Sequence, residues 1–239
     1  MRLKLTLEYD GTAFSGWARQ PGKRTVEGEL RRALGELFAS CADVAVAGRT
    51  DAGVHAVANV VSVEVDGGPP SPRAAEALNT ILPPDVAVVA AEPAPADFHA
   101  RFSARARSYR YRVWRRRARS PFEARRSWWY TRRVDTQALQ ASAAMLVGEH
   151  DFRAFTPTDT QHDVFVRSVE DARWLADGPV LAFEVTADSF LRHMVRTLVG
   201  TMLVGTGPEE LRTLLEGAPR SAAGPTAPPS ALFLTHVRY

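Results

Sequence analysis

The chain has 239 residues, of which 45% are apolar and 24% are charged, a composition typical of a globular protein with one large domain or two small ones. No run of 18 or more apolar residues occurs, which excludes an apolar membrane-spanning helix. The single cysteine, Cys41, excludes an internal disulfide and a thiolate metal cluster. We expect no signal peptide, because the first ten residues alternate in polarity instead of forming an apolar run, and we therefore expect a cytoplasmic protein.

The basic residues are distributed unevenly along the chain. Between Arg101 and Arg133 lie thirteen arginines and one acid, Glu123, a net charge of +12 that leaves −9 for the rest of a chain whose total is +3. A polyanionic partner such as a nucleic acid explains this separation of charge. The alternative is a solvated surface in a chain whose basic residues are nearly all arginines, since its only lysines are Lys4 and Lys23.

Strands and helices are predicted in alternation along the first half. Residues 1–10 alternate in polarity like a strand, and a loop rich in glycine and aromatic residues follows as far as Gly22. Thr25 is a typical helix N-cap, because apolar residues recur after it at helical spacing as far as Leu37. The further elements predicted here are strands at 44–46, 56–65 and 86–90 and a helix at 74–82.

The pattern restarts near residue 108. One strand around Tyr109 alternates aromatic and basic residues, and Asp135 is a typical N-cap of the helix that follows. Each half thus combines strands and helices, which predicts an α+β fold of two subdomains, residues 1–104 and 105–239, with mainly antiparallel sheets flanked by helices. The later elements predicted are strands at 164–174, 180–185 and 232–237 and helices at 190–204 and 208–215.

The turn from Gly48 to Gly53 carries a carboxylate that packing does not explain. Asp51 lies between two glycines, with Arg49 two residues before it, and strand-like segments flank the turn. Glycines allow positive φ angles and the close approach of a ligand or another backbone, and a tight turn can direct both charged side chains into one cleft. The turn therefore indicates a catalytic or binding site, and the alternative is a surface Asx turn.

The strand around Tyr109 has the residue types that extruded nucleotides require. Its aromatic rings offer faces for base stacking, and its alternating arginines offer charge for phosphates. A buried strand with a solvated basic face explains this segment, taken alone, equally well.

The helix predicted at 190–204 contains Arg192 and Arg196 beside an apolar stripe. Two arginines four residues apart share a neighbouring face of a helix, and an arginine that is partly buried there needs a carboxylate partner. Asp51 is the candidate partner that the rest of the sequence leaves unassigned. The alternative is an exposed pair of arginines.

Other classes of chemistry lack their motifs in this sequence. The six histidines are scattered without the spacing of metal ligands. Neither a phosphate-binding glycine loop nor the nucleophile elbow of hydrolases occurs. We therefore expect no metal and no nucleotide cofactor.

Several motifs together resemble the tRNA pseudouridine synthase A family. They occur in order over nearly the whole chain, and the turn around Asp51 is the most specific of them. The motifs are Tyr9–Trp17, Thr25–Glu27, Gly48–His55, Phe98–Ala104, Tyr109–Tyr111 and Phe190–Gly200.

The resemblance implies the pseudouridine synthase fold, with a cleft between the two subdomains. It implies an isomerase that converts uridine to pseudouridine at positions 38, 39 and 40 in the anticodon stem-loop of tRNA. It implies that Asp51 is the nucleophile, that Tyr109 packs against the target uracil, that Arg196 forms an ion pair with the nucleophile, and that Arg49 helps to replace the flipped base. It also implies a homodimer with an RNA-binding cleft and no metal or organic cofactor.

Three positions depart from the family pattern. Ala18 and Glu27 stand where the family usually has glutamine, and Ser230–Ala231 lacks the glycine expected before the last strand. These departures concern the shape of loops and leave the implied nucleophile in place. A non-catalytic RNA-binding protein or tRNA chaperone that uses the same basic cleft is the alternative function.

Overall fold

A computed structural model describes residues 1–160 and 162–239 of the chain. The strands in this part of the chain are β1 (Arg2–Tyr9), β2 (Ser40–Val46), β3 (His55–Asp66), β4 (Val86–Pro93), β5 (Ala106–Trp114), β6 (Trp128–Trp129), β7 (Gly148–Asp151), β8 (Val166–Asp177), β9 (Val180–Ala187) and β10 (Leu232–Arg238). The α-helices are α1 (Val26–Leu37), α2 (Ser71–Ile81), α3 (Thr136–Met145), α4 (Met194–Leu203) and α5 (Pro208–Leu215).

These elements divide between two compact units. The first unit comprises residues 1–105 and 233–239, and the second comprises residues 106–232. The strand pairing within both units is mainly antiparallel, which confirms the predicted α+β class. The cleft predicted between the subdomains stays a prediction. Among residues 1–160 and 162–239, none of the helices could span a lipid bilayer.

The strands of the first unit are arranged around β3. β1 lies between β4 and β3 and pairs antiparallel with both. β2 pairs antiparallel with the later residues of β3, whereas β10 pairs parallel with its first two residues, His55 and Ala56. Phe233–Tyr239, which the sequence pattern places in the second half, therefore belong to the unit that carries the Asp51 turn.

The core of the first unit follows from two periodicities. Every second residue of β1 is buried, as expected for a strand with one face on a core, and the buried residues of α1 recur every three or four positions. Thr25 caps α1 as predicted, because its side chain accepts a hydrogen bond from the backbone N–H of Gly28 at 3.2 Å. The fully buried side chains of these two elements are Leu3, Leu5, Leu7, Leu30, Ala33 and Leu34.

The second unit contains four antiparallel strands in the order β5, β9, β8, β7. The short strand β6 lies parallel to the end of β5. Asp135 caps α3, because its carboxylate accepts the backbone N–H groups of Gln137 and Ala138 at 2.9 and 3.1 Å. β6 and β7, with two and four residues, were not predicted, because they are too short to show a period.

The helix predicted at 190–204 is shorter in the structure. α4 begins at Met194, because His193 has a left-handed backbone with a φ of 63°, which a helix interior does not accommodate. Arg192 therefore lies before the helix and shares no helical face with Arg196. The prediction of an arginine pair on one helix face is wrong.

Candidate active site

The turn that carries Asp51 joins β2 to β3 in the first unit. Thr50 is buried, Asp51 is partly buried and Arg49 is exposed. The backbone N–H of Val54 donates to the carbonyl of Asp51 at 3.1 Å, and Gly53 adopts a φ of 78°, which a side chain would disfavour. The turn is therefore tight, and it brings one arginine and one carboxylate into a single short segment.

A buried hydrogen-bond network supports this turn. The hydroxyl of Tyr9 on β1 lies 2.8 Å from the hydroxyl of Thr50, and the side-chain amide of Asn59 on β3 donates to the tyrosine oxygen at 3.1 Å. The same amide group donates to the carbonyl of Gly48 at 2.8 Å. Tyr9 and Asn59 are 4% and 0% exposed, so the network is shielded from water. Both neighbours of Arg49 are thereby attached to the sheet.

The ionisation of Tyr9 agrees with its place in the network. Burial raises the pKa of Tyr9 to about 12, although the hydrogen bonds with Thr50 and Asn59 act in the opposite direction. The phenol is therefore uncharged at neutral pH, and it can donate to one partner while it accepts from the other. A polar network that is fully satisfied in a water-free interior favours one arrangement of its members.

The loop after β1 packs so closely on the turn that it requires glycine at two positions. A Cβ on Gly11 would lie 2.0 Å from the carbonyl oxygen of Val54. A Cβ on Gly16, whose φ is 96°, would lie 3.0 Å from the carbonyl oxygen of Thr50, which also accepts the backbone N–H of Trp17 at 3.0 Å. The turn is therefore held by this loop as well as by β3.

His55, at the start of β3, connects three segments of the first unit. Its ring is 2% exposed, and Nδ1 accepts the backbone N–H of Gly11 at 3.0 Å. The carboxylate of Asp10 lies 3.3 Å from the same nitrogen. The ring stacks on Phe233 of β10, with the ring centroids 4.6 Å apart. His55 therefore joins the loop after β1, the end of the Asp51 turn and the last strand.

Glu27, one of the departures from the family pattern, lies near the positive charges of two arginines. Its carboxylate accepts the backbone N–H of Arg19 at 3.0 Å and Nε of Arg31 at 2.8 Å. Burial alone would raise the pKa of Glu27, but these hydrogen bonds and the charges of Arg31 and Arg49 hold it below its ordinary value. The carboxylate is thus an electrostatic neighbour of Arg49, a relation that the sequence did not indicate.

Tyr109 lies on β5 in the second unit, opposite Val185 of β9. Its side chain is 8% exposed. The ring meets that of Phe190 edge to face, with the centroids 4.9 Å apart and the planes at 79°. This contact holds the orientation of the phenol ring, and no sequence pattern indicates that Phe190 supports Tyr109.

Arg196 lies on α4 in the second unit and is partly buried. Its Nε donates to the carbonyl of Ala227 at 2.8 Å, and its own carbonyl accepts the Ala227 N–H at 3.1 Å. A Cβ on Gly200, one turn further along, would lie 1.8 Å from the carbonyl oxygen of Pro225, so this segment packs directly on the helix backbone. Burial raises the pKa of Tyr111 above its ordinary value, and the positive charge of Arg196 acts in the opposite direction.

Arg192 is engaged outside the helix. It forms an ion pair with Asp159, and both side chains are exposed. An exposed pair of this kind contributes only about 0–1 kcal/mol. The structure therefore gives Arg192 a local surface contact with Asp159.

The four residues singled out by sequence are distributed over both units. Arg49 and Asp51 share one turn of the first unit, whereas Tyr109 and Arg196 belong to β5 and α4 of the second. The roles of all four residues, and the ion pair between Asp51 and Arg196, stay predictions. Within residues 1–160 and 162–239, no group of three or more His, Cys, Asp and Glu side chains is arranged to hold a metal ion.

The residues that sequence analysis missed are those that support the turn. Asn59 interrupts the apolar run from Ala56 to Val61 in β3, and a buried amide at such a position requires hydrogen-bond partners. That interruption could have indicated a polar network. The identity of Tyr9 as its partner follows from the pairing of β1 with β3, which no local pattern encodes.

Comparison with known proteins identifies the family. The family model described as tRNA pseudouridine synthase matches residues 6–103 and residues 142–239. The tRNA pseudouridine synthase A of Geobacillus kaustophilus is 42% identical over 243 residues, which covers 100% of this chain and 94% of the relative. The protein of the same name from Bacillus subtilis is 40% identical over 245 residues, which covers 100% of this chain and 99% of the relative.

The family match includes the parts of the chain that carry most of the candidate residues. Asp51 and Arg196 fall within the two matched segments, whereas Tyr109 lies between them. A chain in the crystal structure of a Cbf5-Nop10-Gar1 complex aligns with 97% of this chain and 57% of its own length, at 13% identity and a TM-score of only 0.35. The two relatives, in contrast, align over the full length. The chain belongs to the tRNA pseudouridine synthase family.

Proposed function

We propose that the chain converts uridine to pseudouridine in tRNA, at positions 38, 39 and 40 of the anticodon stem-loop, with Asp51 as the nucleophile. The main support for the proposal is the way in which the turn holds this carboxylate. Asp51 lies on a turn that Tyr9 and Asn59 support from the sheet and that the loop after β1 holds in place. A nucleophile must be held in the geometry of attack. Membership of the family and the names of the two relatives support the same reaction.

The isomerisation retains every atom of the base except for an exchange of protons. The bond between N1 of uracil and C1′ of ribose breaks, the base turns, and a bond between C5 and C1′ forms. The hydrogen on C5 leaves to solvent as a proton, and N1 takes up a proton. A carboxylate that attacks C1′ or C6 forms a covalent intermediate and later leaves, which divides one difficult step into two.

The remaining candidate residues have complementary roles in this proposal. Arg196 is the ion-pair partner of Asp51, because a neighbouring positive charge favours the ionised carboxylate that the attack requires. A uridine in a stem must leave the base stack before a side chain can reach it. Tyr109 then packs against the extruded uracil, and Arg49 fills the space that the base leaves.

The proposal extends to the partners of the protein. The basic segment from Arg101 to Arg133 suits the phosphates of tRNA, and we infer a homodimer and a cytoplasmic location, where tRNA is matured. No metal or organic cofactor takes part in the proposed steps, because the isomerisation needs neither a redox change nor phosphate energy.

Tritium release tests the proposal directly. Transcribed tRNA that carries [5-³H]uridine loses its label to water when C5 becomes attached to ribose. The wild type is compared with Asp51→Ala and with Asp97→Ala, which removes an exposed acid from the same unit. We expect the wild type and Asp97→Ala to release tritium and Asp51→Ala to release none while it still binds the tRNA.

Changes in the tRNA test the positions. Replacing the uridines at 38, 39 and 40 by cytidines should remove the release. A wild type that binds tRNA tightly without releasing tritium would refute the enzyme and favour the non-catalytic RNA-binding alternative. Release by Asp51→Ala at the wild-type rate would refute the role of Asp51 alone.

A further inference from the structure

Two groups stand out among the arginines of the second unit. One group is neutralised by carboxylates, as Arg110 is by Glu184 and Arg112 is by Glu123. Members of the other group are exposed and, among residues 1–160 and 162–239, have no ion pair with a carboxylate. We call this second group the arginine surface: Arg116, Arg117, Arg119, Arg126, Arg132 and Arg133.

The arginine surface is built on an ordered backbone. β5 and β6 lie side by side, and the chain continues directly from each of them into the basic residues. The guanidinium of Arg115 donates to the carbonyl of Arg132 at 2.8 Å, and Nε1 of Trp129 donates to the carbonyl of Arg116 at 3.0 Å. These bonds attach the segment after β5 to β6 and to the segment after β6. The cationic side chains therefore project from one fixed scaffold.

Two of these arginines have tryptophan rings, and within the described part of the chain no carboxylates, as charge-stabilising neighbours. Cζ of Arg116 lies 5.0 Å from the ring centroid of Trp114, and Cζ of Arg119 lies 5.8 Å from that of Trp129. A guanidinium over a ring keeps its full charge and the N–H groups in its plane, which can then bind an external anion. A cavity of about 270 Å³, lined in part by Trp114, Trp128, Trp129 and Arg119, opens in this surface.

We propose that the arginine surface binds the phosphate backbone of the tRNA and acts as a docking surface that contributes affinity. Six exposed charges of one sign repel one another unless a polyanion neutralises them. The planar N–H groups of arginine match two phosphate oxygens at once. Protein interfaces also contain arginine and tryptophan, but their cores are depleted of charged residues overall. A cluster of exposed like charges without carboxylates is instead typical of a nucleic-acid site, which favours RNA over a protein partner. The inference rests on the proposed function, because tRNA supplies the polyanion.

A matched pair of triple variants tests the docking surface. Both variants lose three positive charges by substitution of exposed arginines. The control variant takes its arginines from ion pairs elsewhere in the chain, where carboxylates already neutralise them. The test variant is Arg116→Gln, Arg117→Gln and Arg119→Gln, and the control is Arg32→Gln, Arg173→Gln and Arg212→Gln.

The binding of a full-length tRNA transcript is measured between 50 and 200 mM salt, together with tritium release. Each phosphate contact contributes about 0.9 to the slope of log affinity against log salt, so the loss of three contacts lowers the slope by about 2.7. The loss of affinity across this salt range should therefore be about 40-fold smaller for the test variant than for the wild type. The control should keep the wild-type slope, and the effect of the test variant should appear in Kd and KM.

Two outcomes would overturn the inference. Equal salt slopes for the test and control variants would show that these arginines do not contact phosphate. A test variant that binds tRNA normally but loses its self-association would assign the surface to a protein interface. If the wild type releases no tritium, and the salt slope is reduced in the test variant but not in the control, pseudouridine formation is refuted and the docking surface is still supported.

Discussion

Replacing Tyr9 by phenylalanine should slow the reaction without weakening tRNA binding. The phenol oxygen takes part in two buried contacts, 2.8 Å from the hydroxyl of Thr50 and 3.1 Å from the amide nitrogen of Asn59. A buried hydrogen bond contributes about 0.5–1.5 kcal/mol. The free energy of unfolding should therefore fall by about 1–3 kcal/mol.

The effect on turnover follows from the position of Thr50 next to Asp51. Without the tyrosine hydroxyl, the turn keeps its bonds to the loop after β1 but loses one attachment to the sheet. We expect kcat for tritium release to fall about tenfold, which corresponds to about 1.4 kcal/mol. KM should change less than about twofold, because Tyr9 is only 4% exposed and cannot contact RNA.

A second tyrosine of the same unit provides the control. The hydroxyl of Tyr239 donates to the carbonyl of Ala100 at 2.9 Å, outside the network of the turn. Tyr239→Phe should lose about 1 kcal/mol of stability or less and keep the wild-type kcat. If Tyr9→Phe is destabilised but turns over at the rate of Tyr239→Phe, the network supports only the fold, and the reasoning about Asp51 is refuted.

Three further predictions follow from the same region. Raising the pH from about 10 to 12 should destabilise the wild type more than Tyr9→Phe, because the pKa of Tyr9 is about 12 in the folded state and about 10 in the unfolded chain. The stabilisation that comes from this difference in pKa is complete below pH 10 and is lost as the pH rises. Urea unfolding at stepped pH measures the effect, and parallel curves of unfolding free energy against pH for the two proteins would contradict it. Gly11→Ala should reduce both stability and tritium release, since its Cβ would lie 2.0 Å from a carbonyl oxygen. The control, Gly35→Ala in α1, has no atom within 4 Å of its Cβ and should raise stability by about 0.5–1 kcal/mol in thermal melts. Equal melting temperatures for the two variants would argue against the close packing of the loop. Glu27→Gln keeps an acceptor for the backbone N–H of Arg19 but removes the charge. Because the pKa of Glu27 is lowered in the folded state, the stabilisation from its carboxylate is present above the ordinary glutamate pKa and is lost as the pH falls. The unfolding free energy of the variant should therefore depend less steeply on pH in acid than that of the wild type.

The elements that depend on short-range periodicity could be predicted from the sequence. Thr25 caps α1 and Asp135 caps α3 as expected, because a cap and the helix after it are contiguous in the chain. The start of α4 could not be predicted in the same way. His193 has a positive φ although it is not glycine, and an apolar period that continues across it gives no sign of the change.

Within the candidate site, the turn could be predicted and its supports could not. Arg49, Asp51 and the glycines around them are contiguous, so their unusual composition is visible in the sequence. Tyr9 and Asn59 meet because β1 and β3 pair across a long stretch of intervening chain. The charge relation between Glu27 and Arg49 likewise joins a helix to a turn, and such relations arise only from tertiary packing.

The parallel pairing of β10 with β3 imposes an order on the synthesis of the protein. Residues 1–105 contain the proposed nucleophile, yet the start of β3, directly after the turn, is paired with Phe233 and Leu234. The ribosome must therefore deliver the chain as far as Phe233 before the ring of His55 meets its stacking partner. Until Phe233 has emerged, a nascent chain therefore lacks the stacking contact at the end of the Asp51 turn, although the contacts of that turn with Tyr9 and Asn59 can already form.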